Sequence, residues 1–134
     1  MKQIVRIFLA ASSLTVTAVA QAEVAVIINA GSSAAPTQAE VANIFLGKSK
    51  SLKGVDQKDW TPTKEKFYSA VTSKNEAQLK SYWSGLVFTG KGQPLPSVLG
   101  DAEVVEKVSS ADDVIGYVDK SAVTDNVKVI LTLP

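Results

Sequence analysis

The chain has 134 residues, the length of one domain, and its 46% hydrophobic and 20% charged content is that of a folded globular protein. It contains no cysteine and no histidine. That excludes disulfides, thiol chemistry, Ser-His-Asp and Cys-His catalysis and the usual zinc sites. A formal charge of +1 gives no basic excess, so nucleic acid is not an expected partner.

Residues 1–22 carry Lys2 and Arg6, then an uncharged apolar or small run from Ile7 to Ala20, then Ala20-Gln21-Ala22. This pattern reads as a secretory signal peptide cut after Ala22, which places the domain of residues 23–134 in the periplasm. The run is shorter than the roughly 20 apolar residues of a spanning helix and rich in Ser, Thr and Ala, which argues against a membrane anchor. Arg6 is the only arginine, so every cation after the leader is a lysine, and the planar bidentate fork is absent.

Val24 to Ile28 is β-branched without polar alternation and predicts a strand buried on both faces. After the loop 29–36, Thr37 and Glu40 form a capping-box pattern. Val41, Ile44 and Phe45 share one face of the helix that follows, and Gly47 ends it. A lysine-rich loop spans 48–54, with a short extended segment near Val55. The next helix is expected to start near Thr63 or Lys64, just after Pro62, with Phe67, Ala70 and Val71 inward. Ser73 and Glu76 read as a second capping box, opening a helix to about Phe88 with Leu79, Trp83, Leu86 and Val87 on one face. Gly90, Gly92, Pro94 and Pro96 break the chain. A helix over Asp101–Val108 and strands over Val114–Val118 and Val127–Leu133 complete an α/β fold: a small mixed sheet of three to four strands covered by about four helices.

Carboxylate pairs are the remaining acid–base option. Asp112-Asp113, Glu103 with Glu106, and Asp56 with Asp59 all lie in polar stretches and read as solvated surface charge. No segment has the spacing of a calcium loop. An enzyme, a metal and a cofactor are therefore not expected. Tyr82-Trp83 has the makings of a sugar-stacking platform, but the helical stripe assigns Trp83 to the core. Trp60, in a polar loop, reads as an anchor packed on that core. The chemistry these residues support best is oxyanion binding at helix starts, where free N–H groups and the helix dipole meet hydroxyl side chains. Two places qualify: Ser32-Ser33 with Thr37, and Thr61-Pro62-Thr63-Lys64.

Three segments resemble one family. Thr37 to Lys48, ending Ile44-Phe45-Leu46-Gly47-Lys48, is similar to the helix and "IF-x-GK" segment of the periplasmic phosphate-binding proteins of ABC importers. Tyr82-Trp83 followed by Phe88-Thr89-Gly90-Lys91-Gly92, Pro94 and Pro96 resembles their short single-lobe members. Ile115-Gly116-Tyr117-Val118 resembles the family's "AIGYV" strand. The resemblance implies a type II periplasmic-binding-protein-like fold with one of the usual two lobes. It also implies that the family's phosphate-binding arginine falls on Gln57, and its Ser-Gly-Thr turn on Thr61, Pro62 and Thr63. With the arginine gone and a proline lacking its N–H, the implied function is weak binding of phosphate or a similar oxyanion in uptake or sensing. The competing expectation is a ligand-free periplasmic module that docks a membrane sensor, porin or transporter subunit. A large exposed apolar patch would favour it.

Overall fold

The computed structural model describes residues 23–134. The leader expected at residues 1–22 lies outside the described residues. Six strands and four helices follow in the order β1 (Val24–Asn29), α1 (Gln38–Phe45), β2 (Lys53–Gly54), β3 (Asp56–Gln57), α2 (Pro62–Thr72), α3 (Glu76–Phe88), β4 (Ser97–Val98), α4 (Asp101–Ser110), β5 (Val114–Asp119) and β6 (Val127–Leu133). A short 3₁₀ turn, Lys120–Ala122, links β5 to β6.

The main sheet is mixed, with strand order β2-β5-β1-β6. β1 runs antiparallel to both β5 and β6, and β2 runs parallel to β5. β1 is buried along its whole apolar run, as its sequence predicts. Continuous apolar runs are typical of parallel sheets; here an antiparallel centre is covered on both faces and gives the same pattern. Val24, Val26 and Ile28 point into one cluster with Phe45, Phe67, Tyr68 and Tyr117 under α1 and α2. Ala25 and Ile27 point into a second cluster with Val104, Val108 and Val118 under α4. A separate two-stranded ladder pairs β3 with β4, Asp56 opposite Ser97 and Gln57 opposite Val98.

The helix ends follow their capping chemistry, with two corrections to the sequence reading. α1 begins as expected, with the Thr37 hydroxyl accepting the Glu40 N–H, and ends at Leu46. Gly47 follows at φ +74°, and a Cβ there would stand 3.0 Å from the Trp83 ring, so both backbone and neighbour require glycine. α2 starts earlier than expected. Thr61 is its cap and Pro62 its first residue, because proline is preorganised for that position and its missing N–H costs nothing there. Its buried pair is Phe67 and Tyr68, while Ala70 is exposed. The second capping box is Asn75 with Gln78, not Ser73 with Glu76; Ser73 instead closes α2 in the left-handed region at φ 58°.

α3 is the least buried helix. Leu79 alone is fully inside, Trp83 and Leu86 are half-buried, and Val87 and Phe88 are exposed. The expected four-residue stripe thus weakens toward its C-terminal end.

Gly116, in the middle of β5, lies directly beneath α4: a Cβ there would come within 2.4 Å of Val104 Cγ1. Gly116→Ala should destabilise the fold by about 1–3 kcal/mol through overpacking. Adding Val104→Ala should cost less than the sum of the two single changes, because it vacates the same space. Urea unfolding of the three variants checks this.

Candidate functional site

β3 delivers Asp56 into the aromatic side of the core. Its carboxylate accepts the Tyr117 hydroxyl at 2.5 Å and the Gln57 N–H at 2.8 Å on Oδ1, and the Tyr68 hydroxyl at 2.7 Å on Oδ2. Lys64, one turn into α2, brings its ammonium to 3.7 Å from Oδ2 and donates to the Gln57 carbonyl at 2.6 Å. The side chains of Asp56 and Lys64 are only 13% and 12% exposed. This overturns the sequence expectation of a solvated Asp56, and it turns Lys64 inward as well. The reason is tertiary: Tyr68 and Tyr117, far away in sequence, converge on one carboxylate and compensate its loss of water. Phe67 stacks on Tyr117 with ring centres 4.1 Å apart and completes the wall. No buried side-chain polar atom among the described residues lacks a partner.

Gln57 is 3% exposed. Its amide donates to Asp101 Oδ1 at 2.8 Å and to the Tyr117 carbonyl at 2.9 Å, tying β3 to the first turn of α4 and to β5. Both amide hydrogens are thereby engaged inside the fold. Thr61 spends its hydroxyl on the Lys64 N–H as the α2 cap. Thr63, the second residue of α2, is half-buried. Ser32 and Ser33 lie in the β1–α1 loop, five residues and more before α1 begins. Ser32 accepts the Ala34 N–H on its hydroxyl, and its carbonyl accepts from Lys128. The structure thus joins Gln57, Thr61 and Lys64 in one hydrogen-bonded unit and anchors Ser32 to β6 instead.

A cavity of about 670 Å³ opens beside this unit. One wall is the β3–α2 connection with Asp56, Trp60 and Lys64; the other is α3 with Leu79, Lys80 and Trp83. Thr61, Thr63, Ser32 and Ser33 are not part of its lining. Trp60 stacks on Tyr68 with ring centres 6.2 Å apart, the core anchor expected of it. Trp83 packs on the core too, but only in part, and it also lines the cavity. Among the described residues no group of three or more His, Cys, Asp or Glu side chains is placed to hold a metal ion.

No protein-family model matches the sequence, and no curated protein matches it. Solved structures do. One, from Clostridium perfringens, is described as a phosphate ABC transporter substrate-binding protein with bound phosphate; it is 21% identical and superimposes with a TM-score of 0.60 over 81% of this chain. Another, an ABC-type phosphate transport receptor from Vibrio cholerae, is 15% identical, with a TM-score of 0.61 over 82% of this chain. This chain has the fold of the phosphate receptors. It covers 45% and 46% of those two proteins, less than half the length of each.

The buried phenols make stability sensitive to alkali. Burial first, and the Asp56 charge second, hold both Tyr68 and Tyr117 well above the usual tyrosine range. In the unfolded chain a tyrosine titrates near pH 10, so above that pH the unfolded state sheds protons that the native state keeps. On the account of these two phenols stability should therefore be level from neutral pH to about pH 10 and fall beyond it. The Tyr68→Phe/Tyr117→Phe double variant, less stable at neutral pH, should lose much of that alkaline slope. Denaturant unfolding from about pH 8 to about pH 11 measures both.

Proposed function

We propose that this protein is an exported, single-lobe solute-binding-protein-like domain that takes up phosphate or a similar oxyanion weakly, in connection with phosphate uptake or sensing. The observation that carries the reading is the shared fold with two phosphate receptors, one of them described with bound phosphate. The start of α2 supports it locally. Pro62 has no N–H and Thr61 caps the Lys64 N–H, which leaves the N–H and hydroxyl of Thr63 as donors in the first turn.

Weakness follows from the same geometry. The Lys64 ammonium is held by Asp56 and the Gln57 carbonyl, and the Gln57 amide is spent on Asp101 and Tyr117. A charge-assisted hydrogen bond is worth about 1.5–3 kcal/mol, so a site without one binds roughly ten- to a hundred-fold less tightly. Calorimetric titration with inorganic phosphate tests this. Thr63→Ala should weaken binding with little loss of stability, whereas Thr61→Ala should lose about 1 kcal/mol of stability with the cap. Absence of heat at millimolar phosphate would favour the second reading, a module that docks a membrane sensor, porin or transporter subunit. One observation favours that alternative: Phe88 and Leu99 are 91% and 67% exposed.

Export is part of the proposal. Protein recovered from cells should begin at Glu23 and partition with the periplasmic fraction; mass spectrometry that found an intact Met1 would remove this element.

A further inference from the structure

Trp60 and Trp83 are the only tryptophans in the chain, and both line the same cavity. One comes from the β3–α2 connection and one from α3, and Leu79 and Leu95 line the cavity with them. Both indoles are held in place: Trp60 lies against Tyr68 and under the Lys64 ammonium, 5.7 Å from the ring centre, and Trp83 abuts Gly47 and meets Tyr82 edge-on. An aromatic surface fixed in advance loses little entropy when a ligand settles on it.

The polar lining narrows the ligand class. Three lysines, at 58, 64 and 80, face three carboxylates, at 56, 59 and 76, so the cavity has no net charge. Two of these pairs are already made within the protein, Lys64 with Asp56 and Lys80 with Glu76 at 3.1 Å. Such a lining offers no excess positive potential to gather an oxyanion. It is also too polar for a purely apolar guest, whose burial would strip water from charged groups without replacing it. A neutral molecule with apolar ring faces and a hydroxyl edge satisfies both halves. The volume, about 670 Å³, falls within the range that holds a small organic ligand.

We propose that this cavity is a saccharide site, in which the ring faces of a neutral sugar of about two units lie against Trp60 and Trp83 and its hydroxyls meet the charged rim. Thr63, whose N–H and hydroxyl are the donors of the oxyanion reading, does not line it, whereas Gln57 and Lys64 do, with their polar groups engaged inside the fold.

Tryptophan emission reads the cavity directly. Titration with maltose and with cellobiose should give a saturable change in emission with at least one of them. Ser84 is exposed on α3 and lines the cavity without entering the core. Ser84→Arg should therefore leave the fold intact, narrow the cavity and weaken the response about tenfold or more, as expected when one close ligand contact is lost. No saturable change with either sugar, or a response that Ser84→Arg leaves untouched, would overturn the proposal. Added inorganic phosphate should not move the sugar midpoint. Displacement by phosphate would overturn the saccharide site and assign the cavity to oxyanions, whereas a sugar response without any phosphate heat would remove only the oxyanion reading.

Discussion

The Asp56 carboxylate, set among Tyr68, Tyr117 and Lys64, is the interaction on which the placement of everything around the cavity depends. A carboxylate so far removed from water is tolerated only where its oxygens receive donors and its charge is answered. Here two phenols, a backbone N–H and a lysine do this, and they come from β5, α2 and β3 itself. Deleting any one donor would leave the others around an under-compensated charge, so the network acts as a clamp on three elements at once. Gln57 extends the clamp to α4 through Asp101. The start of α2, and with it Thr61, Thr63 and Trp60, is thereby fixed against the sheet.

That arrangement consumes the groups that a ligand would want. Lys64 is the cation at the α2 start, yet its ammonium points into the fold. Gln57 stands where the family resemblance places an arginine, yet it faces β5 and α4. An internal partner competes with a solute for the same donors, and a partner held permanently in place has the entropic advantage. The shared fold with phosphate receptors and the weakness proposed for this chain's oxyanion binding are therefore compatible: similar backbone, different use of the side chains.

The helices divide their work unevenly. α1, α2 and α4 bury the two faces of β1, while α3 buries Leu79 fully, Tyr82 and Trp83 only in part, and departs from the core at its C-terminal end. A cavity lies between α3 and the β3–α2 connection, and Trp60 and Trp83 border it. The same departure leaves Val87 and Phe88 in water at its C-terminal end.

The sequence by itself determined the strands β1, β5 and β6, the extents of α1, α3 and α4 to within a few residues, and the mixed α/β class. Those follow from local periodicity, caps and breakers, which act over a turn or a strand. It also carried the likeness to phosphate receptors that the backbone bears out. At two helix starts the sequence reading chose Thr63 or Lys64 and Ser73, and the fit of proline at the first helical position and of a left-handed serine moved the caps to Thr61 and Asn75. The site was less legible. Asp56 sits in a polar stretch, and its burial depends on hydroxyls 12 and 61 residues away. Likewise Trp60 and Trp83 are on separate elements, and only the tertiary fold brings them to the lining of one cavity. Chain-distant donors and walls leave no periodic trace in sequence; they exist only once the sheet has brought them together.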